Sequence, residues 1–304
     1  MHKLRRSPFL KIVAVAVAVV AVAGMALAVT GRLLTGQWMG VRSLLRYTVN
    51  AVAATLNRPA VQNSGDAPFS NVVFLHHSTG NNLIEEGGLR GLLAQQGIAL
   101  WDHGYNDQGL RDGSGRFTGY GYSVPADNTD PDGLARIFAQ RAYNLPVNTL
   151  SALLQHDVII IKSCFDPANH ILSDEQLQTY KAWYLGMRDA MDRHPQRLFI
   201  VMTIPPLNAT ATNAQEAARA RALADWLASA EFLAGHPNVA TFDLFGSLAE
   251  RNPSARDFNM LRAAYSNGSD SHPNRLANET VAPVFAGYIM HVTSAYRMQL
   301  TGSY

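Results

Sequence analysis

The chain has 304 residues, 47% of them hydrophobic and 16% charged, which supplies apolar material for one sizeable core. A formal net charge of +2, with basic residues scattered beyond the N-terminus, excludes the concentrated basic stripe that tracks a phosphate backbone, so no nucleic acid is expected as a partner. The single cysteine, Cys164, excludes an intrachain disulfide framework and any multi-cysteine zinc site.

Lys3, Arg5, Arg6 and Lys11 lead into an uninterrupted apolar run from Ile12 to Val29, about the length that crosses a bilayer core as a helix. Residues 1–30 are therefore read as a signal anchor or signal peptide, with the membrane as partner through residues 12–29. Ala26-Leu27-Ala28 fits the small-x-small pattern of signal peptidase, so cleavage after Ala28 and retention as a single-pass anchor both stay open. In either case the basic flank remains cytoplasmic, and the rest of the chain is expected in an extracytoplasmic setting, the periplasm or cell envelope.

Residues 31–69 read as a linker or juxtamembrane segment. They hold a weakly amphipathic stretch, Val41 to Leu56, and then turn-rich Asn57-Arg58-Pro59 and Asn63-Ser64-Gly65-Asp66. From Ser70 to the end, residues 70–304, short β-rich runs alternate with longer segments of helical period, the pattern of a parallel sheet covered by helices. The predicted strands are Val72 to Leu75, Ile98 to Trp101, Val158 to Ile161, Leu198 to Thr203 and Val239 to Phe242. Ser173 with Gln176, and Thr212 with Gln215, have capping-box spacing and mark two helix starts. A last amphipathic helix is expected over Leu276 to Met298. The segment Gly104 to Pro131, rich in Gly, Asp, Asn and Tyr, reads as a functional surface loop.

Ligands of open parallel sheets bind beyond the carboxyl ends of the strands. At that edge the sequence places His76-His77-Ser78-Thr79-Gly80 after the first strand, Asn106-Asp107-Gln108-Gly109 after the second and Ser163-Cys164 through Asn169-His170 after the third. The helix after Ser78 directs its unpaired N–H groups at the hydroxyl. Asn267 to Asn274, containing Asp270 and His272, lies just before the last helix. An imidazole from that loop can take the proton of Ser78, with a carboxylate holding its tautomer. Taken singly the residues are ordinary: Ser78 a helix cap, Cys164 a small buried hydrophobe, His76 and His77 packing or pocket residues. Asp107, Asp112, Asp127, Asp130 and Asp132 lack the spacing of a calcium loop and read as a solvated acidic segment.

In order and spacing these blocks resemble the SGNH/GDSL hydrolase superfamily, over roughly Ser70 to Met298. The resemblance implies a three-layer α/β/α sandwich with a mainly parallel, flavodoxin-like five-stranded sheet. It implies Ser78 as nucleophile, Asp270 and His272 completing the triad, Gly109 and Asn169 as oxyanion donors, and no metal or other cofactor. His76, His77, Asn106 and Cys164 are possible pocket residues, and Tyr105, Phe117, Tyr120 and Tyr122 possible substrate contacts. The first block reads His-His-Ser in place of the usual Gly-Asp-Ser, and Asn169 comes several residues later than its counterpart. Asp270 lies two positions before His272, not three, with Ser269 in the usual place. The expected activity is hydrolysis of an ester, with a small-molecule or carbohydrate O-acetyl ester as substrate. Alternatives are a polysaccharide O-acetyltransferase, a non-catalytic envelope carbohydrate-binding protein, and a thiol hydrolase using Cys164.

Overall fold

Runs rich in β-branched and aromatic residues, which suit a buried pleated surface, form one six-stranded sheet. Its strands are β1 (Asn71–Leu75), β2 (Ala99–His103), β3 (Leu110–Arg111), β4 (Val158–Lys162), β5 (Leu198–Met202) and β6 (Val239–Phe242). The computed structural model describes residues 8–125, 131–164, 170–268 and 270–302, with side chains for residue 17 and from residue 19 onward. The strand order is β3-β2-β1-β4-β5-β6. All neighbours run parallel except the two-residue β3, which pairs antiparallel with the end of β2.

The helices are α1 (Pro8–Thr35), α2 (Val41–Gln62), α3 (Ser78–Glu85), α4 (Leu89–Ala94), α5 (Pro131–Phe138), α6 (Thr149–Leu153), α7 (Asp174–Asp192), α8 (Ala214–Leu227), α9 (Ala230–Leu233), α10 (Leu244–Leu248) and α11 (Arg275–Thr301). Because successive strand residues point to opposite faces, the sheet divides the core in two. Val73, Leu75, Ile159, Ile161, Phe199 and Val201 pack with α2 and α5 to α9 on one face. Val72, Phe74, Ile160, Ile200 and Phe242 pack with α3, α4, α10 and α11 on the other. Helices on both faces of a parallel sheet make three layers.

The five predicted strands are all present, with no end shifted by more than two residues and Val239–Phe242 matched at both ends. The sixth, β3, lies inside the segment read as a loop; Arg111 bridges back to Phe117, so this stretch is a short hairpin. Ser173 caps α7 by accepting the Gln176 N–H at 3.2 Å, as expected. At α8 the cap is Asn213, one residue after the expected Thr212, and its Oδ1 accepts from the N–H groups of Gln215 and Glu216.

Residues 31–69, expected as a linker, contain the 22-residue α2 seated on the sheet domain. Leu44, Tyr47, Ala54 and Val61 recur on one side and are buried. At about 1.5–3 kcal/mol for each large side chain, their burial outweighs the marginal stability of a lone helix of this length. Polar contacts fix its register: Tyr47 with the Val147 carbonyl, Asn50 Nδ2 with Ser123 Oγ at 2.9 Å, and Gln62 Nε2 with Gln155 Oε1 at 2.8 Å. Pro59, read as part of a turn-rich stretch, falls in the last turn, where the helix has little ladder left to lose. The apolar run Ile12 to Val29 falls within α1, but its first residues lie outside those with described side chains. Among the described residues no helix is long and apolar enough to cross a membrane.

Candidate active site

Ser78 is the first residue of α3, immediately after His76 and His77 leave β1. The turn is tight because Gly80 has no side chain. A Cβ there would sit 2.4 Å from the His76 Cβ and 3.0 Å from Phe74 Cζ, so only glycine lets the helix start so close to the strand it left. His76 is itself fixed. Its Nε2 lies 3.2 Å from Asp102 Oδ2 at the end of β2, and its Nδ1 lies 2.8 Å from the His77 carbonyl oxygen. Asp102 also takes the Arg90 guanidinium from α4. Burial pushes the Asp102 carboxyl up. The His76 hydrogen bond and the charges of His76 and Arg90 outweigh that effect and hold it below the usual carboxylate range.

The second half of the site comes from the chain between α10 and α11. Asn274 caps α11, its Oδ1 accepting the Ala277 N–H at 3.0 Å while its Nδ2 reaches the carbonyls of Ala264 and Ser266. Asn208, after β5, donates to the Gly268 carbonyl at 3.1 Å, and its backbone N–H donates to Ser271 Oγ at 3.2 Å. Pinned at both ends, this loop carries His272 to the carboxyl edge of the sheet. There Ser78 Oγ lies 2.8 Å from His272 Nε2.

The carboxylate of Asp270 accepts twice from His272, at 2.6 Å from Nδ1 and at 2.9 Å from the backbone N–H. Since a carboxylate only accepts, Nδ1 carries the proton and Nε2 is left to accept from the Ser78 hydroxyl. The shortened Asp-x-His spacing is thereby accommodated, because one oxygen reaches both the ring and the main chain of a residue two positions on. The backbone hydrogen bond, then the ring hydrogen bond and charge of His272, hold the Asp270 carboxyl below its usual range. The pair is open to water, with the His272 side chain 33% and the Asp270 side chain 60% exposed.

A hydroxyl, an imidazole and a carboxylate linked in this order can move the serine proton to Nε2 and return it. No side chain caps the N-terminus of α3 at His77, which leaves the N–H groups of the first turn, beginning with that of Ser78, without a side-chain cap.

The other expected site residues fall into different places. Gly109 gives its N–H to the Tyr105 carbonyl at 2.9 Å, so the donor assigned to an oxyanion is already used in a turn. What the structure requires of Gly109 is conformation and room: φ is +64°, and a Cβ would meet Phe117 Cε2 at 2.5 Å. Asn169 lies outside the described residues, as do Ser269, Asp127 and Asp130. Asn106 staples its loop, exchanging two hydrogen bonds of 2.9 Å with the Val124 backbone. His77 is buried and stacks on Tyr105 with ring centroids 3.9 Å apart. Cys164 is buried, with Sγ 3.2 Å from the hydroxyl of Thr79, the neighbour of Ser78. Tyr120 and Tyr122 turn inward as anchors, whereas Phe117 is exposed. Asp112 accepts from Ser114 and Arg116, and Asp132 pairs with Arg136.

Sequence reasoning missed Arg90, Asp102 and Asn208, and placed Gly80 in the first block without a role for it. Only Asn208 had a local cue, the Asn-Ala-Thr triplet, whose Oδ1 accepts the Thr210 N–H and hydroxyl.

No protein-family model matches the chain, and no curated protein sequence does. Among solved structures, a provisionally named acylhydrolase from Bacteroides fragilis is similar at a TM-score of 0.47 and 12% identity, over 79% of this chain and 95% of that one. A provisionally named platelet activating factor from Streptococcus pneumonia is similar at a TM-score of 0.46 and 14% identity, over 81% and 94% of the two chains. The chemistry of the site therefore rests on its own geometry.

Proposed function

We propose that this chain is an extracytoplasmic serine ester hydrolase of the SGNH/GDSL type, with an O-acetyl group on a carbohydrate as its substrate class. The observation that carries the reading is the continuous line from Ser78 Oγ to His272 Nε2 at 2.8 Å and from His272 Nδ1 to Asp270 at 2.6 Å. The basic flank and apolar run at the N-terminus support export.

In this mechanism Ser78 Oγ attacks the ester carbonyl as its proton passes to Nε2 of His272. The carbonyl oxygen gains the charge and is met by the uncapped N–H groups at the start of α3. Collapse of the tetrahedral intermediate expels the alcohol, which takes the proton from His272 and leaves an acyl-Ser78. Water then attacks, His272 again serving as base, and the acid departs with Ser78 restored. Asp270 keeps the proton on Nδ1 and stabilises the imidazolium that forms twice per cycle.

Ser78→Ala is expected to lower hydrolysis of p-nitrophenyl acetate by on the order of 10⁴-fold or more, and to abolish labelling by a fluorophosphonate. Full activity in Ser78→Ala would refute the assignment. Loss in Cys164→Ser alone would move the nucleophile to the thiol.

A further inference from the structure

The helix that docks against the sheet domain is apolar on its other side as well. Val41, Leu45, Val49, Val52 and Leu56 share an arc of about 80° around α2, opposite the buried Leu44, Tyr47, Ala54 and Val61, and all five are exposed, Val49 by 65% and Leu56 by 75%. A single amphipathic face needs one partner, and the sheet domain already supplies it; the outer stripe stays largely open to solvent among the described residues. Between α1 and α2 runs a groove of about 300 Å³ lined by Leu27, Leu34, Leu44, Val52 and Leu56, which continues this apolar surface onto α1.

Charge identifies what the stripe meets. Beyond the apolar run, residues 30–65 contain four Arg and no Asp or Glu, whereas residues 66–304 contain 17 Lys and Arg and all 23 acidic residues. A net charge of +2 thus conceals a purely basic segment around α2 joined to an acidic sheet domain. On α2, Arg42 and Arg46 flank the outer stripe, and Arg32 lies over the ring of the exposed Trp38 at the turn between the helices. Exposed aliphatic side chains, flanking arginines and a tryptophan at the turn are the chemistry of a helix lying in an anionic lipid interface.

We infer that α2 is a two-sided helix whose outer face rests on an anionic membrane surface while its inner face holds the sheet domain. This differs from anchoring through residues 12–29, since it places a helix flat against the headgroups, and it holds whether or not Ser78 is a nucleophile. Its consequence for the site is direct. Arg46 reaches the Asn106 carbonyl, and Asn50 holds Ser123 Oγ and the Gly121 N–H. The lipid-facing helix therefore carries the loop whose Tyr105 stacks on His77, next to Ser78.

The test uses the full chain with single thiols introduced by Val49→Cys, Leu56→Cys or, on an exposed turn of the sheet domain, Ser254→Cys, each labelled with an environment-sensitive fluorophore. The native Cys164 is 3% exposed, and an unsubstituted control measures any labelling of it. On vesicles of phosphatidylcholine with phosphatidylglycerol, iodide quenching at 49 and 56 is expected to fall several-fold, more than on phosphatidylcholine alone, while position 254 stays accessible. Labels at 49 and 56 as accessible as the one at 254 would overturn the proposal. So would protection without vesicles accompanied by disulfide cross-linking between two copies of the unlabelled Val49→Cys chain, which would assign the stripe to a second copy of the protein.

Discussion

Replacing Asp270 by Asn is a sharp test, because the exposure of this carboxylate sets how much it can contribute. Asparagine retains an oxygen that can accept the ring and backbone N–H groups of His272 at the 2.6 and 2.9 Å positions, so the imidazole stays oriented while the charge is lost. An imidazolium and a carboxylate with charge centres about 4 Å apart attract by about 1 kcal/mol in water and about 4 kcal/mol near a protein surface. At about 1.36 kcal/mol per decade of rate, this range spans about 5-fold to about 1000-fold. With the Asp270 side chain 60% exposed, water screens the pair and the lower part of the range applies. Asp270→Asn is expected to lower kcat/KM for p-nitrophenyl acetate by about 10- to 100-fold, with high salt narrowing the gap to the parent enzyme. Asp270→Ala, which also frees the ring, should lose more. Activity unchanged in both variants, or a loss of about 10⁴-fold in Asp270→Asn like that of a desolvated triad, would refute this reasoning.

Other expectations follow from groups around the site and beneath it. His156 is fully buried, with Nδ1 2.7 Å from Asn71 Oδ1 and Nε2 2.8 Å from the Tyr122 hydroxyl; burial, reinforced by Arg197, pushes its pKa down to about 3. The unfolded chain takes up that proton below about pH 6.5 and the folded chain does not, so stability is complete above that pH and declines below it, by at most roughly 5 kcal/mol near pH 3. Urea midpoints that stay flat from about pH 7 to about pH 4.5 would contradict this, since the paired carboxylates act only at lower pH. Gly80→Ala forces a Cβ to within 2.4 Å of His76 and should cost about 1–3 kcal/mol, read as a lower melting temperature together with lost esterase activity. Gly91→Ala on α4, with nothing within 4 Å, should instead be neutral or stabilising by up to about 1 kcal/mol.

The sheet was legible because each parallel strand, buried on both faces, is an apolar run such as Val-Ile-Ile-Ile in β4 or Leu-Phe-Ile-Val-Met in β5. Ser78 and His272 were legible because each abuts an element end that the sequence announces. The residues that fix the turn at Ser78 were not, since Arg90, Asp102 and Gly80 matter only once α4 and β2 stand beside β1, and no local spacing encodes that neighbourhood. Gly109 misled for a related reason: a glycine after the second strand fits both a donor and a tight turn, and the partner of its N–H is a fact of tertiary structure. Helix α2 was obscured by Pro59 and by apolar residues on both faces, which blunt the one-sided periodicity that marks a docked helix.

Ser78 and His272 lie 194 positions apart. The loop that carries the imidazole is anchored by the cap of α11, so Ser78 and His272 meet only once α11 has formed and packed. A chain interrupted before residue 272 presents the Ser78 hydroxyl without its imidazole neighbour. The contact between the two side chains is thus itself a readout of whether α11 has docked.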